Sequence, residues 1–199
     1  RTNADRIQSQ VRQVMTAAGF DEAITASMVP TDWTSVFTGW TSDAPLLSDT
    51  PMLKGADTLR TSLVPSLLEA RRINQSLSNP VVELFETAKI YVPGSEALPT
   101  EQWTLTVSSG KSFFHLKGLI ETLIETLKIN DSLQVTPCDA ALFTKGQGVQ
   151  LELAGETLGF MGDVSAETLK QFSLRSATSL LEVNLQILLE AACLVPQFV

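Results

Sequence analysis

Residues 59–92 read LRTSLVPSLLEARRINQSLSNPVVELFETAKIYV, and this stretch predicts a helix, a turn and a long strand. Leu63 and Leu67 lie about one helical turn apart, so they share one apolar face. Pro65 fits only in the first turn of a helix. The Ser-Asn-Pro that follows ends the helix, because a proline pushes the residue before it out of the α region. Residues 81–92 are rich in β-branched and aromatic side chains, which favours a strand.

The rest of the chain alternates short helical and strand patterns, which predicts an α+β fold with a mostly antiparallel sheet flanked by helices. Thr2 and Asp5 match a capping box at the start of a first helix, and Gly19 ends that helix. Residues 20–29 are a strand candidate that stops at Pro30. The remaining predicted elements are an irregular segment at 31–57, strands at 102–108, 133–136, 149–153, 158–161 and 180–183, and helices at 112–128, 165–172 and 185–192.

The composition limits both the organisation of the chain and its partners. We expect residues 1–199 to be a single domain with a substantial core, cut from a longer chain because it begins with Arg1 rather than methionine. Only 18% of the residues are charged, which favours a surface kept partly for protein partners. A net charge of -8 repels phosphate backbones. We therefore expect no DNA binding and no broad nucleic-acid face, although local contacts through Arg71, Arg72 or Lys145 fit this charge.

Cysteine and histidine are too few for a disulfide framework or a zinc site. Cys138 and Cys193 are far apart in sequence and lack ligand spacing, and His115 is the only histidine. No apolar run approaches the length of a membrane span, and no segment resembles a signal peptide. We therefore expect a cytoplasmic protein with no metal site and no membrane contact.

Four short motifs occur in order along the chain. The first joins LRTSLVPSLL at 59–68 to LFETAKIY at 84–91, and the others are FFHLKG at 113–118, LGFMGDV at 158–164 and LEVNL at 181–185. In the β subunit of bacterial phenylalanyl-tRNA synthetase, the corresponding patterns are roughly LRPSLLPGLL with LFEIGRVF, then FFDLKG, IGxxGELHP and ELDLxxL. No one of these motifs is specific, but the ordered set is. The chain therefore resembles the synthetase-like domain of that subunit.

This resemblance implies the fold of a class II aminoacyl-tRNA synthetase without its activity. In the family, the β subunit pairs with an α subunit that carries the active site. The heterotetramer of two α and two β subunits joins phenylalanine to tRNA-Phe with ATP and magnesium. The resemblance implies that this domain holds no cofactor of its own, while ATP and Mg2+ act in the holoenzyme. Its implied partners are the α subunit, and tRNA-Phe through the holoenzyme.

The first helix and the strand after it resemble motif 1 of class II synthetases, which builds a subunit interface in that superfamily. The resemblance predicts that residues 7–29 contact the α subunit. Seven apolar residues are expected to carry this interface: Ile7, Val11, Val14, Met15, Ala18, Phe20 and Ile24. The other interpretation is an ordinary amphipathic helix packed on the chain's own sheet, because helical spacing shows only that one face is buried.

The arginines with which class II synthetases bind ATP are missing. The superfamily has one in an fRxE pattern of motif 2 and one closing GxGxGxxR in motif 3, since guanidinium groups are planar, charged and bidentate toward phosphate. Here Leu84 stands at the motif 2 position, and no GxGxGxxR occurs. The pair Gly146 and Gly148 lacks the context of a phosphate loop and predicts a hairpin or loop tip. Arginine occurs only at positions 1, 6, 12, 60, 71, 72 and 175. We therefore expect this domain alone not to adenylate an amino acid.

Two other functions are compatible with the sequence. A free-standing class II-like ligase or acyl transferase requires a cationic cluster for phosphates, and no strand end or glycine loop offers one. A tRNA-contacting module has its best support in Arg71 and Arg72, although such charges usually form a solvated or salt-bridged face. ATP binding by the isolated domain favours the first function, and salt-dependent tRNA affinity favours the second.

Overall fold

A seven-stranded sheet organises the molecule in the computed structural model, which describes residues 2–50, 54–94 and 98–193. The strands are β1 (Asp21–Glu22), β2 (Met28–Val29), β3 (Thr58–Leu59), β4 (Leu84–Val92), β5 (Thr100–Ser109), β6 (Gln134–Pro137), β7 (Phe143–Leu153), β8 (Glu156–Val164) and β9 (Ser179–Asn184). The helices are α1 (Asn3–Ala17), α2 (Val64–Ser76), α3 (Phe113–Thr126), α4 (Ala166–Gln171) and α5 (Leu185–Ala191), with a 3-10 helix at Thr31–Ser35. No helix in the described ranges is long and apolar enough to cross a membrane.

The sheet is mixed, but nearly all of its pairings are antiparallel. Its order is β1-β4-β5-β9-β8-β7-β6, and among the described strands only β1 and β4 run parallel. Strands β2 and β3 form a separate two-stranded ribbon. The α+β class with a mostly antiparallel sheet and flanking helices is therefore confirmed.

The stretch that predicts helix, turn and strand has that structure, with a shorter strand. Helix α2 carries Pro65 in its first turn. After the helix, Ser78 has a positive φ of 64°, a conformation that reverses the chain. Strand β4 begins at Leu84 rather than at residue 81, because its ladder to β5 starts with the pair Leu84–Ser108.

The strand predicted at residues 20–29 is wrong in its middle. The first part is β1, which pairs with β4, and the last part is β2, which pairs with β3. Between them the chain leaves the sheet. The backbone N–H of Thr25 donates to the carboxylate of Glu86 at 3.0 Å rather than to a neighbouring strand. The guanidinium of Arg60 also donates to the carbonyls of Thr25 and Ala26, so side chains and not a strand bond to the backbone of these two residues between the two short strands.

Local sequence signals set several other boundaries as predicted. Thr2 and Asp5 exchange the two hydrogen bonds of a capping box at the start of α1. Ser165 caps α4, because its side chain accepts a hydrogen bond from a backbone N–H inside the first turn. Ala154 and Gly155 both have positive φ, as the two-residue turn between β7 and β8 requires.

Gly146 and Gly148 lie inside strand β7 and not at the loop tip predicted for them. A Cβ at Gly148 would lie 2.6 Å from the carbonyl oxygen of Cys138 and 2.7 Å from the ring of Phe143. The register of β7 against β8 also shifts between Phe143 and Gly148. A glycine inside a strand commonly marks such an irregularity or a close approach of backbone, and here it marks both.

The two faces of the sheet have different characters. Helices α1, α3 and α5 cover one face with an apolar core that includes Phe85 and Leu181. Neighbouring residues along a strand point to opposite faces. The other face therefore carries Glu86, Thr106 and Glu182, which lie side by side on β4, β5 and β9. Helix α2 and the segments before it cover this second face.

Gly159→Ala is expected to lower the free energy of unfolding by about 3 kcal/mol. A Cβ at Gly159 would lie 2.1 Å from the carbonyl oxygen of Glu182 and 2.8 Å from the Cα of Val183, and both are backbone atoms of β9. Gly118→Ala in α3 is the control, because a Cβ there meets nothing within 4 Å. Alanine at that helical position should add up to about 1 kcal/mol. Urea denaturation measures both changes, and equal stability of the two variants would contradict this packing.

Candidate functional site

The seven residues predicted for a subunit interface divide into a buried group and an accessible group. Four of them pack into the core between the helices and the sheet of this chain: Ile7, Val11, Met15 and Phe20. Val14 and Ala18 are half-buried at the edge of that core. Ile24 is 93% exposed. The first four side chains pack within this chain, while the other three are accessible to a partner. The interface itself stays a prediction.

The accessible residues of α1 border an open groove of about 520 Å³ between α1 and α3. Val14 and Ala18 line it from α1, and Phe114 and Gly118 line it from α3. Phe114 is 77% exposed, which is unusual for a large aromatic side chain. The sequence prediction did not include Phe114. The available signal was that this apolar residue falls outside the buried stripe of its own helix.

A second groove, of about 450 Å³, lies beside Ile24 along strand β4. Strand β1 covers β4 only as far as the pair Glu22–Phe85. Beyond it no described strand pairs with this edge, but Arg60 bonds to the carbonyl of Lys89 and accepts from the N–H of Tyr91. Arg12 lines the groove, where it forms an ion pair with Glu22 at 2.8 Å and donates to the hydroxyl of Thr87 at 3.1 Å. Ile24 is therefore an exposed apolar side chain beside a groove of mixed polarity, and it can take part in a protein contact.

The sheet face opposite α1 and α3 centres on a fully buried carboxylate. Glu182 Oε1 accepts hydrogen bonds from the indole N–H of Trp40 at 2.7 Å and the hydroxyl of Ser62 at 2.8 Å. Its Oε2 accepts from the backbone N–H of Leu63 at 2.9 Å and the hydroxyl of Thr106 at 2.6 Å. Burial raises the pKa of Glu182 above its ordinary value, and the four hydrogen bonds act against that rise. These hydrogen bonds hold the segments that carry Trp40 and Ser62 against the sheet. The two segments therefore cover this face, which we call the closed face.

A buried ion pair lies on the same face, between Arg60 and Glu86 at 3.4 Å. Arg60 Nε donates to the carbonyl of Lys89 at 3.0 Å, and its Nη1 donates to the hydroxyl of Thr25 at 2.9 Å. Thr25 in turn donates its hydroxyl to Glu86 at 2.7 Å. Burial lowers the pKa of Arg60, and the charge of Glu86 opposes this effect. The guanidinium is thus engaged within the fold and is not free to bind a phosphate.

The two adjacent arginines of helix α2 are also engaged. Arg71 is 2% exposed, bonds to the carbonyl of Val82 and lies near Glu83. Arg72 forms a bidentate pair with Glu69, with N–O distances of 2.7 and 2.6 Å. Arg71 therefore cannot reach a phosphate backbone in this structure, and Arg72 would have to leave its ion pair to do so.

The histidine and the metal-ligating residue types form no reactive centre in the described part of the structure. His115, the only histidine, stacks its ring on that of Phe20 with 5.9 Å between the centroids. No group of three or more His, Cys, Asp or Glu side chains among the described residues is arranged to hold a metal ion. The arrangement is thus that of a closed polar face on one side of the sheet and two accessible grooves. The groove between α1 and α3 is lined largely by apolar residues, and the groove beside Ile24 is lined mostly by polar and charged residues.

Comparison with known proteins places the chain among synthetase subunits. The model of the family described as the phenylalanyl tRNA synthetase beta chain CLM domain matches residues 1–185. The chain is 39% identical over 204 residues to the phenylalanine–tRNA ligase beta subunit of Rhodopirellula baltica, covering 97% of this chain and 30% of that protein. It is 30% identical over 200 residues to the corresponding subunit of Bacillus cereus, covering 92% of this chain and 25% of that protein. The chain thus spans roughly a quarter to a third of the curated relatives it matches.

The fold also resembles solved synthetase structures. The crystal structure of pyrrolysyl-tRNA synthetase from Desulfitobacterium hafniense superposes with a TM-score of 0.73 at 15% identity, covering 94% of this chain and 68% of that one. A second structure of that enzyme gives a TM-score of 0.71 at 16% identity, covering 92% and 64%. At such identities the likeness shows the fold alone, which is that of a class II aminoacyl-tRNA synthetase. Together with the family match, it establishes that the chain belongs to the family of phenylalanyl-tRNA synthetase beta chain CLM domains.

Proposed function

We propose that this chain is a non-catalytic, synthetase-like domain of a phenylalanine–tRNA ligase β subunit, and that it pairs with the α subunit. In the cytoplasmic holoenzyme it supports the ATP-dependent charging of tRNA-Phe with phenylalanine, and residues 1–199 form one domain of the longer subunit. ATP and Mg2+ belong to the holoenzyme, and tRNA-Phe contacts this domain only through that assembly. The observation that carries the proposal is the closed face of the sheet, where Glu182 is buried beneath Trp40 and Ser62.

The charges on the closed face argue against nucleotide binding. A triphosphate placed there would meet the carboxylates of Glu86 and Glu182, on a chain of net charge -8. The nearby guanidinium of Arg60 is already paired with Glu86. Releasing it would leave a buried charge without its partner, which costs several kcal/mol. A free-standing ligase or acyl transferase therefore has no observation in its favour.

Pairing with an α subunit is supported by apolar side chains that the chain itself leaves accessible. Val14 and Ala18 border one groove together with the exposed Phe114, and Ile24 borders the other. Residues 14 to 24 run between the two grooves, so a single partner can contact both. Obligate interfaces are large and apolar, and the groove between α1 and α3 suits them better than it suits a freely soluble surface.

A titration with ATP and Mg2+ tests the absence of nucleotide chemistry. We expect no saturable binding to the 199-residue chain with a Kd below about 1 mM. The reason is that the closed face carries buried carboxylates, and its arginine, Arg60, is already paired with Glu86. The α subunit, measured by the same calorimetry, is the positive control. Saturable submillimolar binding to this chain would favour the free-standing ligase instead.

A further inference from the structure

Trp40 makes two directed contacts with its side chain although it is only half-buried. Its indole N–H donates to Glu182 Oε1 at 2.7 Å. Its ring meets that of Phe160 edge to face, with 5.2 Å between the centroids and 80° between the planes. Proteins bind aromatic ligands through the same two kinds of contact, namely an edge-to-face aromatic neighbour and a hydrogen-bond acceptor shielded from water.

The walls of this site do not depend on Trp40. Glu182 is held by three further donors, namely Ser62, Thr106 and the backbone N–H of Leu63. Phe160 lies on β8 directly opposite Glu182 on β9, so the sheet register fixes the two groups side by side. Phe160 also contacts the buried ring of Phe37 edge to face, with 5.2 Å between the centroids. The acceptor and the aromatic wall are therefore positioned by the sheet, by α2 and by a second aromatic residue.

We propose that Glu182 and Phe160 form a binding site for an indole-like aromatic N–H donor, and that Trp40 is its resident intramolecular ligand. The carboxylate selects the N–H group, because a desolvated acceptor discriminates strongly against a ligand that leaves it unpaired. The ring of Phe160 selects a flat aromatic body. Removing the Trp40 side chain leaves a cavity whose shape and polarity match free indole, as cavities left by large side chains match small aromatic molecules.

Chemical rescue of Trp40→Ala by indole tests this site in the 199-residue chain. At an indole concentration ten times Kd, the Tm of the variant should rise by about 3 to 5 °C. Trp33→Ala is the matched control. Trp33 comes from the same segment, is also half-buried, and packs on Phe172 at 6.0 Å between centroids. Among the described residues it has no carboxylate hydrogen-bond partner. Neither Trp33→Ala nor the unmodified chain should respond to indole.

The role of Glu182 is tested with 1-methylindole, which keeps the ring and lacks the N–H donor. Its Kd for Trp40→Ala should be at least about tenfold higher than that of indole, since a hydrogen bond to a charged acceptor is lost. If Trp40→Ala is unfolded, indole should restore its helical circular dichroism and 1-methylindole should not. Equal effects of the two compounds, equal rescue of Trp33→Ala, or no effect of indole on Trp40→Ala would each overturn the proposal.

Discussion

The Met15→Asp variant is expected not to fold, whereas the neighbouring Val14→Asp variant is expected to fold and to lose the α subunit. Met15 is fully buried between α1 and the sheet, so an aspartate there would be an unpaired charge in an apolar core. That substitution should cost about 4 to 5 kcal/mol or more, which is much of the stability of a typical domain. Val14 borders the groove shared with α3, where a new carboxylate stays near water.

Two measurements separate these variants. Urea denaturation should show less than about 1 kcal/mol of destabilisation for Val14→Asp, as for most accessible positions. Its affinity for the α subunit should fall by about 30-fold or more, the size of effect expected at the centre of an interface. Gln13→Asp adds the same charge to an exposed position of the same helix and is the control. Unfolding of Val14→Asp would show that this face is core, and unchanged affinity would exclude the groove from the interface.

Glu182→Gln is expected to lower the free energy of unfolding by about 3 kcal/mol at neutral pH. Each carboxylate oxygen accepts two hydrogen bonds in a fully buried site. An amide replaces one of these oxygens by a donor, so two existing donors lose their acceptor. Gln13→Glu, the reverse exchange at an exposed position of α1, is a control for the amide–carboxylate change itself. A variant as stable as the unmodified chain would mean that the closed face does not depend on this carboxylate.

Because the pKa of Glu182 is raised, the stability difference between the unmodified chain and Glu182→Gln should depend on pH. Because the pKa in the folded state lies above the ordinary value of 4.5, the unfolded chain loses this proton first as the pH rises. The unmodified chain therefore loses stability relative to Glu182→Gln as the pH increases from about 4.5 through the folded-state pKa. The difference in free energy of unfolding between the unmodified chain and Glu182→Gln should be largest at acid pH and smaller at neutral pH. A margin that widens toward neutral pH would mean that the four hydrogen bonds outweigh burial.

Sequence patterns predicted those parts of the fold that depend on neighbours along the chain. The capping box at Thr2 and the cap at Ser165 act within one turn of helix, so their residue types predict them. Strand β4 follows from its β-branched and aromatic residues. Residues 20–29 were predicted less well, because the bond from Thr25 to Glu86 that divides them joins residues 61 positions apart.

The candidate sites were harder to predict, because they depend on contacts between residues that are distant in sequence. Helical spacing showed that Met15 is buried but not whether its neighbour is this chain or another, since periodicity reports burial alone. The bond between Trp40 and Glu182 joins residues 142 positions apart, so no local pattern pairs them, although Glu182 lies in the LEVNL motif. Arg60 carried no role of its own in the sequence, where it is only part of the first motif, whereas the fold pairs it with Glu86. Function was predicted from ordered motifs and missing arginines, which need no three-dimensional contact to be seen.

Co-expression of this chain with an α subunit of phenylalanine–tRNA ligase, followed by size-exclusion chromatography with light scattering, tests the central claim most directly. We predict a stable complex that contains both chains and that dissociates in the Val14→Asp variant but not in Gln13→Asp. A folded, monomeric chain that does not co-elute with the α subunit would contradict the proposal that this domain pairs with it.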